Sequence, residues 1–338
     1  MQLNSAFRWG ILVGSLGLLF VLNLTLGSVK IPASEILNIL LGFRSEEPVW
    51  TEIIWDFRMT KAFTCVLGGS ALALGGLQMQ TLFRNPLAGP DVLGLTSGAS
   101  LAVSLLYMGS AAGVTVLFIS SAWAVAIASS IGCLGVFLIM LAVSKRLKDN
   151  VSLLIVGLMV GAATASVVSV LQYLSRAEDL QVYMIWTFGS LSGLNWVEIR
   201  VLAAIVLAGL VISVLNVKAL NVWLLGENYA QSLGINIKRS RLLAIFSASI
   251  LTGGVTAFCG PIAFVGLAVP HLVKLLINSH NHKLLLPAVA VGGAVLLLAC
   301  DILAQLPSSS AVLPINAITA LVGAPVVIWV IMRNKIIR

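Results

Sequence analysis

The chain alternates between long apolar runs and short polar breaks. Each run is close to the roughly 20 residues that a helix needs to cross the hydrocarbon core of a membrane, and none shows the strict alternation of a membrane β-barrel. A helix satisfies its own backbone hydrogen bonds in lipid, so every run is predicted to be a transmembrane helix. The ten predicted spans cover residues 7–27, 58–82, 92–109, 114–143, 151–174, 196–216, 242–260, 262–278, 284–304 and 314–332.

Composition excludes a soluble protein. Hydrophobic residues make up 59% of the chain and charged residues only 9%, whereas a soluble domain carries about 25% charged residues. The predicted spans leave little chain for a soluble domain, so residues 1–338 are interpreted as a single transmembrane domain. The predicted fold class is an all-α integral membrane protein with about ten transmembrane helices.

The distribution of charge sets the orientation in the membrane. Basic residues concentrate in the breaks that lie on the same side as the N-terminus, such as Lys145, Lys238 and Arg239. The positive-inside rule therefore places both termini in the cytoplasm. Residues 28–57 and 175–195, which hold most of the acidic residues, become external segments. The net charge of +8 is then an orientation signal. It does not indicate nucleic-acid binding, because no basic patch with interleaved aromatic residues accompanies it.

Few ionisable groups lie inside the predicted spans. Asp301 is the only acid deep within one, and such a residue is a functional candidate by default. Two interpretations stay open. In the first, an ion-gradient-driven secondary transporter uses Asp301 for proton coupling. In the second, backbone and hydroxyl groups of neighbouring helices satisfy it. His280 and His282 are assigned to a solvated cytoplasmic turn, and the four cysteines have no metal-ligand spacing, so no metal site is predicted.

The break after the second span is short and rich in proline and glycine. It reads RNPLAGPDVLG, from Arg84 through Asn85 and Pro86 to Gly94. Proline and glycine at this density, with a cation at the start, predict a rigid loop on the cytoplasmic side.

A second interruption separates the seventh and eighth spans. It contains Gly260, Pro261 and Pro270, and irregular backbone survives in a membrane only where protein or water covers it. The segment is predicted to be a tight reversal or a broken helix, serving either as a packed kink or as a moving part. Its glycine and proline spacing partly repeats that around residues 84–94, with the opposite direction of entry, which indicates inverted-repeat character.

Three segments together resemble the FecCD family, the membrane permeases of ATP-driven importers for iron-siderophores, haem and cobalamin. They are RNPLAGPDVLG at residues 84–94, GPIAFVGLAVPH at residues 260–271, and Asp301 followed by TALVGAP at residues 319–325. Because the segments are spread along the chain, the resemblance covers essentially all of it. It implies the permease subunit of an ATP-binding-cassette importer in a bacterial cytoplasmic (inner) membrane.

The resemblance also implies partners. A second permease subunit, identical or homologous, would enclose the pathway, two ATPase subunits would bind ATP and magnesium, and a substrate-binding protein would dock outside, with lipid around the spans. The chain itself has no Gly-x-x-x-x-Gly-Lys-Ser/Thr loop, so ATP hydrolysis is assigned to a separate chain. No catalytic residue, bound cofactor or nucleic-acid partner is predicted for this one.

Residues 217–241 form a cytoplasmic segment that is too long for a simple turn. Residues 230–233 have helical character, and a glycine after them permits a sharp stop. In the family this segment is the coupling loop, whose two short helices sit in a groove of the ATPase. The residues assigned to ATPase coupling are Glu227, Ala230, Gln231, Ser232, Leu233 and Gly234.

The fifth span carries small and mildly polar residues. They suit either a wall beside a large rigid substrate or close helix packing. In the family this span lines the pathway at the dimer axis, and its first residues lie near the cytoplasmic gate. The residues assigned to the pathway and gate are Asn150, Val151, Ser152, Gly157, Gly161, Thr164 and Ala165.

Arg58 and Lys61 lie three residues apart at the outer start of the second span, so a helix would present them on one face. The family carries Arg-x-x-Arg here and pairs it with glutamates of the binding protein. Lysine at the second position keeps the charge and loses the bidentate fork. The pair is predicted to dock the binding protein, with snorkelling to lipid phosphates as the alternative.

Overall fold

A computed structural model describes residues 5–43, 45, 47–109, 122–147, 150–305 and 312–336. Within these ranges the chain is helical, apart from loops and one isolated bridge between Gln305 and Val312. The helices are α1 (Ser5–Thr25), α2 (Ala33–Leu40), α3 (Pro48–Glu52), α4 (Thr60–Phe83), α5 (Leu95–Met108), α6 (Ala122–Arg146), α7 (Asn150–Leu174), α8 (Ala177–Thr187), α9 (Trp196–Leu215), α10 (Val217–Trp223), α11 (Glu227–Ser232), α12 (Ile237–Cys259), α13 (Val265–Ile277), α14 (His282–Ala304) and α15 (Ile315–Ile336).

The predicted spans correspond to ten of these helices. Seven helices are long and apolar enough to cross a membrane, and three shorter apolar helices, α5, α13 and α15, complete the set. The predicted all-α membrane fold is therefore confirmed. The part of the fourth predicted span that precedes residue 122 lies outside the described residues.

The segments between spans have structure of their own. Segment 28–57, which the sequence predicts to be external, contains α2 and α3, and a π-helical turn, Ile53–Met59, leads from α3 into α4. Segment 175–195, also predicted to be external, contains α8, and segment 217–241, predicted to be cytoplasmic, contains α10 and α11. Residues 217–241 are called the coupling segment below.

Helix α4 lies at the centre of the bundle, and almost all of its residues are buried. Its glycines allow neighbouring backbones to approach closely. A Cβ added to Gly69 would overlap the carbonyl oxygen of Gly293 in α14, and one added to Gly76 would overlap that of Gly266 in α13. Small residues at such contacts are the usual basis of helix association in lipid.

Helix α13 begins well inside the bundle. Helix α12 ends at Cys259, and the chain returns through Phe264, which has a left-handed backbone (φ 68°), before α13 begins. Gly266, at the start of α13, contacts Leu72 in the middle of α4, and α12 packs against α4 in the opposite direction, with Ala248 beside Gly75 and Val255 beside Gly68. The interruption at Gly260–Pro261 is thus a tight reversal, one of the two forms that the sequence predicted.

Replacing Gly69 with alanine should lower stability, because the new methyl group has no room beside Gly293. Overpacking of this kind costs about 1–3 kcal/mol. Gly14 in α1 has no neighbour within 4 Å of an added Cβ, so Gly14→Ala should be neutral or stabilising by about 0.5–1 kcal/mol. Thermal unfolding in detergent measures both variants. Equal melting temperatures would contradict the close approach of α4 and α14.

Candidate functional site

The two interrupted segments meet beside the inner half of α4. The Nε2 atom of His271 lies 2.8 Å from the carbonyl oxygen of Pro86. The side-chain amide of Gln80 donates to the carbonyl of Leu267 at 3.1 Å. Both family-like segments therefore belong to one packed unit on the cytoplasmic half of the molecule, with Pro270 buried in it.

Local hydrogen bonds and glycine conformations build the loop at residues 84–94. Arg84 ends α4 in the left-handed region (φ 48°), and the Asn85 side chain accepts from the backbone of Leu87 at 2.9 Å. Gly94 begins α5 with φ 73°. A side chain at Gly94 would be strained and would meet the carbonyl oxygen of Gly157 at 3.1 Å.

The coupling segment presents an apolar surface that the sequence analysis only partly identified. Leu225, Tyr229 and Leu233 are 63%, 55% and 55% exposed, and they are called the apolar patch below. Tyr229 lies in α11, whereas Leu225 and Leu233 flank this helix. Ala230 is fully buried, and its assignment to a contact with the ATPase stays a prediction.

Other assigned residues of this segment lie at the surface. Gln231, Ser232 and Gly234 are exposed, and Gly234 has φ 78°. The side chain of Glu227 lies outside the described residues. The segment thus offers a compact surface on the cytoplasmic side, with Ala230 and Trp223 anchoring it to the bundle.

Helix α7 does not present all of its small residues to one open wall. Gly157 is buried against Gly94, and a Cβ added to Gly161 would lie 3.4 Å from the hydroxyl of Ser97. Gly157 thus packs inside the subunit, and its assignment to the pathway stays a prediction. Gly161 is half-buried in the same contact.

Much of the surface of α7 is open in the single chain. Ala165 and Val151 are exposed, whereas Ser152 and Thr164 are half-buried. The hydroxyl of Ser169 donates to the carbonyl of Ala165 at 3.0 Å, and the Thr164 hydroxyl likewise bonds to its own helix. The exposed surface of α7 mixes these small positions with large apolar side chains such as Met159 and Tyr173, which are 60% and 88% exposed. The side chain of Asn150 lies outside the described residues.

Arg58 is buried, with 5% of its surface exposed. Its guanidinium donates to the carbonyl oxygens of Leu24 (2.6 Å), Thr25 (3.0 Å) and Val29. These carbonyls lie at the end of α1, where helix carbonyls lack intrahelical partners. The side chain thus caps α1 inside the subunit, and its docking role stays a prediction.

Lys61 is also engaged within the chain. Its Nζ lies 3.0 Å from Oδ2 of Asp301, and that oxygen also accepts from Asn23 (2.6 Å) and Gln305 (2.9 Å). The prediction that backbone and hydroxyl groups satisfy Asp301 is wrong, since a cation and two amides do so. The ion pair engages Lys61 within the chain, and its docking role stays a prediction. Sequence reasoning missed the pair because its members are far apart in the chain.

The two histidines of the predicted cytoplasmic turn differ. His280 is exposed, as expected, but His282 is 1% exposed and bonds to Asn221 and Thr81. The solvated assignment is thus wrong for His282. Among the described residues, no group of three or more His, Cys, Asp or Glu could hold a metal ion.

A bundle of ten apolar helices, interrupted inside the membrane and joined to a structured cytoplasmic segment, defines a multi-pass membrane transport protein. Residues 15–333 match the FecCD transport family. The chain belongs to this family and is the permease subunit of an ATP-binding-cassette importer, without catalytic function of its own.

Individual relatives can be aligned with most or nearly all of the chain. The hemin transport system permease protein HmuU of Yersinia pestis is 33% identical over 336 residues, which is 98% of each chain. The vitamin B12 import system permease protein BtuC of Photorhabdus laumondii is 35% identical over 285 residues, 83% of this chain and 82% of the relative. A transporter described as of the metal-chelate ABC type, solved facing inward, superposes with a TM-score of 0.84 at 27% identity, covering 98% of this chain and 100% of the other.

Breaking the Lys61–Asp301 pair should destabilise the subunit. Lys61→Met leaves a buried carboxylate without its cation, which costs about 3–5 kcal/mol. Adding Asp301→Asn removes the stranded charge while keeping an amide for Asn23 and Gln305, so the double variant should recover most of the loss. Melting temperatures in detergent measure both.

A matched control comes from the external pair Arg176–Glu178, whose side chains are 78% and 85% exposed. Arg176→Met should cost no more than about 1 kcal/mol. A double variant no more stable than Lys61→Met would contradict the ion pair.

Proposed function

We propose that two copies of this permease, or this chain and a homologous one, enclose a pathway for a metal chelate such as haem, an iron-siderophore or cobalamin. Two ATPase subunits, which bind ATP and magnesium, would sit on the coupling segments. A substrate-binding protein would deliver the substrate from outside. The relatives named above supply the substrate class, since their names refer to hemin, vitamin B12 and metal chelates.

The apolar patch is the observation that carries the proposal. Three large apolar side chains, Leu225, Tyr229 and Leu233, are more than half exposed on the segment that is predicted to face the cytoplasm. Exposed apolar surface outside lipid is typical of a protein interface. The buried side chain of Ala230 beneath it holds the patch in place. An ATPase groove is the partner that the importer class requires.

The open face of α7 supports the proposed pathway. Its exposed positions near the middle of the helix, including Ala165 and Ser166, are small, and the hydroxyl of Ser166 is already bonded to its own helix. A large rigid substrate could pass such a wall without finding strong partners on it. The dimer axis would therefore lie along this face.

An ion-gradient mechanism is disfavoured by the surroundings of Asp301. Its carboxylate already accepts from a lysine and two amides, so three donors of the same chain hold it in place. A proton carrier must lose and regain its proton during each cycle. The Lys61–Asp301 pair is better suited to holding α4 and α14 together. The binding protein is proposed to dock on the external segments 28–57 and 175–195 instead of on Arg58 and Lys61.

Placing a charge in the apolar patch should weaken the contact with the ATPase. For Leu233→Glu we expect at least about a 30-fold loss of affinity, as for a central interface residue, with the permease still folded because the position is exposed. Co-purification of the ATPase from detergent measures the effect. Leu41→Glu, at an external residue that is 71% exposed, is the matched control. Equal ATPase recovery in the two variants would refute the proposed ATPase contact at the apolar patch.

The function itself is tested by uptake into proteoliposomes that contain the permease, its ATPase and its binding protein. Haemin, cyanocobalamin and a ferric siderophore form the panel. Uptake of one of them should require internal ATP and survive a protonophore. Uptake that a proton gradient drives without ATP would refute the proposal.

The same assay tests the pathway. Ala165→Trp should reduce uptake by tenfold or more, because a bulky ring would fill the proposed passage. Ala208→Trp, at an exposed alanine of a different helix, α9, should have little effect on uptake. Normal uptake by the Ala165→Trp variant would contradict the proposed pathway and indicate a purely structural role for α7.

A further inference from the structure

The first helix of the coupling segment is bonded directly to the start of α14. The side-chain oxygen of Asn221, in α10, accepts from the backbone N–H of His282 at 2.8 Å and lies 2.9 Å from ring atom Nδ1 of the same residue. Its amide donates to the side chain of Asn281 at 3.1 Å. The first N–H groups of a helix lack intrahelical partners. One from α14 is thus satisfied by a residue of the coupling segment.

The other side of the imidazole faces α4. Ring atom Nε2 of His282 lies 2.9 Å from the hydroxyl of Thr81, and the ring is almost completely buried. His282 therefore bridges three elements, α10, α4 and its own helix α14. Among the histidines of the chain it is the one placed between the coupling segment and the central helix.

The hydrogen-bond pattern defines which ring nitrogen carries the proton. The backbone N–H of His282 points at the oxygen of the Asn221 amide, so the same oxygen faces Nδ1. An oxygen can only accept, so Nδ1 must carry hydrogen. Ring atom Nε2 faces the hydroxyl of Thr81, which also bonds to the carbonyl oxygen of Leu77. Each ring nitrogen thus has one separate partner.

The two helices that His282 joins are held together at three depths. At the inner end Thr81 meets His282, and near the middle the Ser70 hydroxyl donates to the carbonyl of Ala290 at 2.9 Å. At the outer end Lys61 pairs with Asp301. With these contacts, α4 and α14 should move as one body from the cytoplasmic to the external side.

We propose that His282 is a positioning residue that transmits displacement of the coupling segment to the α4–α14 pair. The ATPase would move α10, and the Asn221–His282 bonds would carry that movement into α14 and, through its rigid contacts, across the membrane. This inference rests on the proposed function, because it takes the coupling segment as the seat of the ATPase. It assigns to His282 a role in coupling, beyond the stability that any buried hydrogen bond provides.

Three replacements of His282 separate coupling from stability. The amide nitrogen of asparagine can occupy the place of Nδ1 and keep the bond to Asn221, whereas glutamine reaches the place of Nε2 and keeps only Thr81. Asparagine and glutamine each lose one buried bond, so their melting temperatures should fall by similar amounts. His282→Asn should nevertheless keep coupling, because α4 and α14 remain joined at two other depths. His282→Gln and His282→Ala should lose it.

The measurement uses the assembled importer in proteoliposomes, with haemin as the transported probe, or cyanocobalamin if the panel selects it. Probe molecules imported per ATP hydrolysed should fall at least about fivefold in the glutamine and alanine variants, the lower end of typical coupling between sites. In Asn221→Ala, which removes both bonds to His282, the number of probe molecules imported per ATP hydrolysed should fall at least as far. ATPase co-purification should stay normal in all of these variants. His280→Ala, at the exposed neighbouring histidine, is the control.

A covalent link supplies a rescue. The double variant Asn221→Cys, His282→Cys should import fewer probe molecules per ATP hydrolysed while its thiols are reduced. Oxidation of the two thiols to a disulfide with copper phenanthroline should restore import per ATP. The four native cysteines are buried and unpaired, so they should add little background. Restoration on oxidation would support a mechanical link between α10 and α14.

Several results would overturn the proposal. Unchanged import per ATP in His282→Ala and Asn221→Ala is one. Equal losses in the asparagine and glutamine variants would be another, since they would indicate only a stabilising role. Loss of ATPase co-purification in these variants would show that His282 merely shapes the docking surface. If Leu233→Glu leaves ATPase recovery intact, the proposed ATPase contact on the coupling segment is wrong, and this result is distinct from those that concern His282. If the alanine variant does not fold, the comparison of His282→Asn with His282→Gln still decides whether His282 acts in coupling or only in stability.

Discussion

The close approach of α4 to its neighbours is the constraint on which the rest of the structure depends. Lipid provides no hydrophobic force between helices, so their association rests on direct contact and polar bonds. Gly69 and Gly76 bring the backbones of α14 and α13 against α4. Once these contacts exist, the loop that follows α4 at residues 84–94 must lie against α13, where His271 bonds to Pro86.

Polar groups inside the membrane reinforce this packing at both ends. Arg58 closes the end of α1, and Asp301 takes donors from α1, α4 and α14. At the cytoplasmic end His282 joins α10, α4 and α14. A buried polar group is costly unless it is paired, so each of these sites commits several helices to one arrangement. The permease can therefore change shape by moving packed groups of helices, while the bonds inside each group persist.

The surface of the single chain divides according to the partners that an importer needs. The coupling segment carries exposed apolar side chains, and α7 exposes small residues near its middle. Segments 28–57 and 175–195 carry short helices of their own. The permease has no catalytic function of its own and contributes the helical frame of the importer.

The sequence by itself determined the helical fold, the ten spans, the two interruptions and the family. These properties are local: a span is read from a run of apolar residues, and an interruption from neighbouring prolines and glycines. Only the tertiary structure decided which polar residues were free. Arg58 and Lys61 looked exposed, Gly157 looked like part of a pathway wall, and His282 looked solvated, yet all four are held inside the subunit. Their partners come from distant parts of the chain, and the burial of a charge or a glycine depends on those partners and not on the residues beside it.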